Sequence, residues 1–172
     1  MILAGQHRLF APIVVLAGMS PDIGVELDAE EIETFLREQG LGVLGLAKGS
    51  EAYTIPIAFA YDGGSNRCFF RFIMDEGGMK RAFVSETDLA SLTVYEWATK
   101  NQWKSVVLRG HIRQVSDSDL AEAATLFSDV GEEAALEVFN APISEYETVW
   151  YELEITEITG RGQFVGSRDS VV

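Results

Sequence analysis

A mainly β fold, a six-stranded antiparallel barrel with helices appended, is what this chain predicts. Apolar, β-branched and aromatic runs recur six times between Leu41 and Ile158. Links of a few residues, rich in Gly, Asp, Asn and Lys, join most of them, and strands so joined can curl into a small barrel. Helical spacing is confined to segments beside these runs.

Residues 1–27 read as an N-terminal extension that packs loosely or is disordered. Leu9 to Met19 is apolar but too short to span a bilayer. It reads as an upstream extension with Met19 as the original start; a weak signal-peptide core after His7 and Arg8 is the alternative. The folded domain is expected over residues 28–160. Asp28 to Gln39 is its first helix. Asp28 caps it, Glu31 completes a capping box, and Leu27 and Ile32 are spaced as a staple. Ile32, Phe35 and Leu36 make one apolar face, and Gly40 is placed to end the helix.

LGVLGLA is the first strand and AYTIPIAFAY, residues 52 to 61, the second. In the second, Tyr53, Ile55, Ile57, Phe59 and Tyr61 share one face. Pro56 cannot donate to a ladder, so it marks an edge, a bulge or a place where something other than a strand lies alongside. After the turn DGGSN comes RCFFRFIM, residues 67 to 74, then DEGGMK and a helical turn from Met79 to Ser85. Ser91 to Trp97 and Lys104 to Val115 form a strand pair. Asp117 to Phe127 and Glu132 to Phe139 are helical, the first capped by Ser116 or Asp117. Thr148 to Ile158 is the last strand. Val149, Tyr151, Leu153 and Ile155 lie on one face, Glu152, Glu154 and Thr156 on the other. Residues 161–172 read as an exposed tail.

The 172 residues hold 27 acids against 13 bases, a formal net charge of −14. Such a surface repels nucleic acid and anionic membrane. With so few lysines it resembles the composition of salt-loving archaeal proteins, whose self-repulsion molar salt screens. Cys68 lies inside an apolar strand and reads as a small buried hydrophobe. His7 and His111 stand far apart, and no Cys/His cluster has metal-ligand spacing. A cytoplasmic location is expected. The scarce bases sit close to turns, and that contrast suggests a bound anion.

The series Gly42 to Ala47, Pro56 to Phe59, Asp62-Gly63, Phe69 to Phe72, Lys80, and then Trp103, Ser105, Val106 and Gly110 resembles the FMN-binding split barrel of the pyridoxamine 5′-phosphate oxidase-like superfamily. The resemblance covers roughly Asp28 to Gln114. It implies a homodimer with one FMN in each of two clefts at the subunit interface. The backbone of Ile55, Pro56 and Ile57 would lie against the isoalloxazine. Arg71 and Lys80 would meet the phosphate, and Trp103 and Ser105 would lie near the ring or ribityl chain. Many relatives have K-x-x-N-L and, several residues later, N-P; here Lys80 is followed by Arg81, Ala82 and Phe83, with Thr87-Asp88 later.

The residues themselves leave alternatives. Arg71 can grip a phosphate or pair with Asp75 or Glu76. Trp103 can stand beside a flavin or anchor an interface, while Trp97 reads as core. Arg109, His111 and Arg113 face one way and read as a stripe paired with cross-strand Glu. His111 shows no partner for proton donation. An FMN-dependent oxidoreductase with unknown substrate is the leading function, with no catalytic side chain named. A flavin-binding module is the alternative, as is a split barrel holding deazaflavin F420 or haem.

Overall fold

The computed structural model describes residues 24–74, 77–130 and 147–164. The expected helix over 132–139, the extension before residue 24, the tail beyond residue 164 and both acids expected beside Arg71 lie outside them. In chain order the elements are β1 (Val25–Glu26), α1 (Ala29–Glu38), β2 (Leu41–Lys48), β3 (Glu51–Ala58), β4 (Ala60–Asp62), β5 (Arg67–Met74), α2 (Met79–Val84), β6 (Leu89–Thr99), β7 (Gln102–Gln114), α3 (Leu120–Val130) and β8 (Glu147–Gln163). No helix among the described residues is long and apolar enough to cross a membrane.

The strands form one antiparallel sheet ordered β3-β2-β6-β7-β8-β5-β4, with β1 added to β8. Its two ends, β3 and β4, are consecutive in the chain. The second predicted strand is thus broken at Phe59. Ala52 to Ala58 pair with β2, whereas Ala60 to Asp62 pair with β5. Phe59 is fully buried, and its N–H donates to the Gly40 carbonyl at 3.0 Å. The sheet closes on itself through one covalent crossing. Six predicted strands become eight, because this one divides and β1 joins.

The barrel interior follows the alternation of its strands. Leu44, Leu46, Phe70, Phe72, Leu92, Val94, Val106, Leu108 and Leu153 are all buried. Cys68 is buried among them, and burial pushes its thiol pKa up, so it is no nucleophile. α1 plugs one end with Phe35 and Leu36. Both halves of its capping box form, each at 2.9 Å. The helix stops at Gln39, in extended backbone, without a left-handed glycine.

β8 runs to Gln163, past the end predicted at Ile158. A bulge explains the difference: Arg109 pairs with Glu157 but Gly110 with Ile155. The extra residue switches the inward positions from Leu153 and Ile155 to Gly160 and Gly162. Ile32 and Leu27 pack over Gly160. α3 begins three residues later than predicted, because Ser116 to Asp119 form a turn. It covers the outer face of β5 through Phe69, Val115 and Ala123. Beneath it Glu152, 4% exposed, accepts from Arg67 at 2.9 Å and Arg113 at 2.7 Å. Arg67 also reaches Asp119 and Glu122 of the α3 segment.

Gly110 sits at the bulge with no room for a side chain: a Cβ there meets the Glu154 carbonyl oxygen at 2.0 Å. Gly110→Ala is expected to destabilise the chain by about 3–5 kcal/mol. Guanidinium denaturation measures it; a loss near zero refutes the close crossing.

Candidate functional site

The site begins at the edge of β3. Pro56 stands opposite Val43 and is exposed; among the described residues no strand pairs along its other side. A residue without an N–H suits this edge position. Ile55 turns inward and Ile57 is half-buried against the core.

α2 bridges β3 and β5. Its Phe83 ring lies 5.1 Å from that of Tyr53 on β3, and its Lys80 Nζ donates to the Ile73 carbonyl on β5 at 3.3 Å. Thr87 ties the segment after α2 to β2: its hydroxyl accepts from the Ala47 N–H at 3.0 Å. Arg71, two residues before Ile73, points to the α3 side. Its guanidinium lies 5.3 Å from the Phe127 ring centre and 6.0 Å from that of Trp150. Asp75 and Glu76, the carboxylate partners expected as one alternative, lie outside the described residues. Among the described residues, Arg37, Lys48, Arg67, Arg81, Arg109 and Arg113 each pair with a carboxylate. Arg71 and Lys80 do not.

Trp103 and Ser105 lie elsewhere. They start β7, at the tip of the β6–β7 hairpin, while α2 leads into the opposite end of β6. Leu89 and Trp97 mark those two ends of β6, about 27 Å apart in an extended strand. Ser105 stands between Tyr95 and Arg161. Trp103 donates its indole N–H to Gln163 at 3.3 Å and stacks on Trp97, ring centres 6.4 Å apart. Trp97, read from sequence as core, is 64% exposed. It lies toward the tip of the β6–β7 hairpin, where none of the described residues buries it. A single chain therefore brings Lys80 and the β5 strand bearing Arg71 to one end and leaves Trp103 and Ser105 toward the other, while Ile55 and Pro56 stand between, level with Leu92 and Thr93 of β6.

The outer sheet face between these ends carries Leu41, Val43, Pro56, Leu89, Thr93 and Tyr95. A shallow cleft of about 300 Å³ lies on it, lined by Gly45, Ala47, Thr54, Ser91 and Arg109 among others. The Arg109 stripe is paired as expected, Arg109 with Glu157 and Arg113 with Glu152 and Glu154. His111 does have a partner, Asp88 at 2.8 Å, which sequence distance concealed. Among the described residues no group of three or more His, Cys, Asp or Glu could hold a metal ion.

This broken-strand barrel is a known architecture. The family model for pyridoxamine 5′-phosphate oxidase matches residues 28–162. The chain belongs to that family. A curated relative, an uncharacterized protein of Rhizobium meliloti, is 27% identical over 89 residues, 52% of this chain. The match spans 56% of that relative's length. Among solved structures, a FAD-binding protein of Mesorhizobium loti superposes with a TM-score of 0.67 at 21% identity, covering 81% of this chain and 98% of its own. The FAD-binding protein of Mycobacterium smegmatis gives 0.60 at 26% identity, covering 83% and 100%. The split-barrel fold of this oxidase-family chain is thus shared with proteins that hold a flavin.

Trp97→Leu is expected to cost about 1 kcal/mol or less, the scale of an exposed aromatic pair rather than a core cavity. Thermal and denaturant melts check this; a loss above about 3 kcal/mol would restore the core assignment.

Proposed function

We propose that the protein is a flavin-binding homodimer of the pyridoxamine 5′-phosphate oxidase family, acting as an oxidoreductase on a small molecule. The observation that carries this reading is the separation of Lys80 and the Arg71 strand from Trp103 and Ser105 along the sheet, with the open β3 edge at Pro56 between them. A twofold axis relating the outer faces of two such sheets would lay the Lys80 end of one subunit against the Trp103 end of its partner. Two identical clefts result, each made from both chains.

The residues present fit a flavin phosphate. Among the described residues neither Arg71 nor Lys80 forms an ion pair, so both offer guanidinium and ammonium donors. Aromatic stacking holds Arg71, and the Ile73 carbonyl takes one donor of Lys80, so the others stay available. The unpaired edge of β3 offers backbone groups to a flat ring, and Pro56 keeps a further strand away. FMN is the cofactor these groups suit; FAD, named for two structural relatives, carries the same riboflavin phosphate with an adenylate attached. When bound, the flavin supplies the redox chemistry. The chain's own part is to grip the phosphate, bury one face of the ring and leave the other open beside the Thr54–Arg109 cleft. The haem reading rested on His111, which stands on the outer face beside Asp88.

The visible spectrum of freshly purified protein in molar salt, with mass analysis of the released cofactor, tests the reading. Flavin bands support it, and an F420 mass or a Soret band overturns it. Light scattering is expected to give about twice 18.9 kDa. Lys80→Ala is expected to weaken FMN by roughly ten- to a hundredfold, a charge-assisted contact of about 1.5–3 kcal/mol, and to leave riboflavin binding unchanged. Equal FMN affinity in the variant refutes the phosphate assignment.

A further inference from the structure

We infer that the shallow cleft on the outer sheet face takes a small carboxylic acid, and that such an acid is the substrate of the flavin site. The carboxylate meets Arg109 and Ser91, an apolar body crosses Gly45, and a polar group at the far end meets Thr54. Only the role as substrate rests on the flavin reading; the carboxylate site stands on its own residues.

The first observation is a row that crosses four strands. Thr54, Gly45, Ser91 and Arg109 are successive partners on β3, β2, β6 and β7. They therefore share one face, and all four line the cleft of about 300 Å³. Two strand spacings put Ser91 and Thr54 about 10 Å apart, with Gly45 between them. Gly45 keeps the middle of the row open, since a Cβ there meets Ser91 Oγ at 2.9 Å. Ala47 and Ala52 extend the low floor, and Leu89 adds an apolar wall. One small ring with a group at each end spans this row.

The second observation is polar groups left unused. Among the described residues neither the Ser91 nor the Thr54 hydroxyl is hydrogen-bonded. Arg109 donates one N–H to Glu157, at 3.3 Å. A guanidinium carries several more donors in one plane.

The third is charge. The chain holds 27 acids against 13 bases, yet among the described residues no acid lines this cleft. A guanidinium beside a hydroxyl matches the paired oxygens of a carboxylate. Glu157 stands across Arg109 from Ser91, on β8. It offsets part of the guanidinium charge, which favours a singly charged acid over a phosphate dianion.

Isothermal titration of the purified protein with 4-hydroxybenzoate tests the site. Saturable binding is expected, about tenfold tighter than that of 4-hydroxybenzamide, which has the same shape and no charge. Arg109→Met is expected to abolish that preference. Glu157→Gln removes the competing carboxylate and is expected to tighten the acid severalfold while leaving the amide unchanged. An ion pair with a merely structural role gives no such gain. Gly45→Ala is expected to weaken acid and amide alike, and all three variants should melt within a few degrees of the parent. Equal binding of acid and amide overturns the site, as does the absence of saturable binding up to millimolar acid. Displacement of the acid by inorganic phosphate also overturns it. So does conversion of the dimer to monomer by Arg109→Met, the mark of a carboxylate supplied by a second copy. The same titration on flavin-free protein separates the two readings, because acid binding is expected to persist there. In flavin-loaded protein, a shift of the visible flavin band at saturation supports the acid as substrate; saturation without a shift overturns that role.

Discussion

Everything in this molecule depends on a strand that changes partners at Phe59. One run of residues forms both edges of the sheet, so the barrel closes by a covalent step rather than by hydrogen bonds between its first and last strands. The buried ring fixes the crossing, and the Phe59 N–H bond to Gly40 ties it to the end of α1. Closure of this kind leaves a seam between β3 and β5, and α2 lies across it. The β3 edge, the lysine on α2 and the strand that carries Arg71 all border that seam.

Charge then divides the surface by function. Most basic side chains among the described residues are consumed by carboxylates, several in the network that seats α3 on Glu152. That network is strengthened by burial of its acid, and it raises the pKa of Arg67 despite the opposing effect of burial. Against this background, a cation that among the described residues meets aromatic rings and no acid is informative. Arg71 over Phe127 and Lys104 between Phe35 and Phe164 are both of that type. Aromatic contact orients the charge without neutralising it.

How far the fold could be read from the residues depended on whether local pattern and tertiary setting agreed. Arg67–Met74 was legible to the residue, since its alternation faces the barrel interior on one side and α3 on the other. The capping box of α1 needed only local chemistry. The end of β8 was not legible, because a bulge reverses which residues face inward and so disguises a strand as a glycine-rich tail. The division at Phe59 was hidden for the opposite reason: the alternation continues through it unbroken. Trp97 misled because composition cannot distinguish a hairpin tip from a core position. The candidate cofactor residues were named from family resemblance, and the distance of Trp103 and Ser105 from Lys80 could be seen only once the register of β6 and β7 was known. The bond between His111 and Asp88 joins residues that no sequence spacing connects.

The Pro56 edge also bears on solubility. An uncovered strand in an apolar sheet is a template on which other chains can grow into fibrils. β3 removes one rung of that template by lacking an N–H in its middle, and it begins with Glu51. A foreign strand laid along it would lose a ladder bond at the centre and meet charge at the end. The proline that interrupts the ladder at this edge thereby protects the chain from polymerising through it.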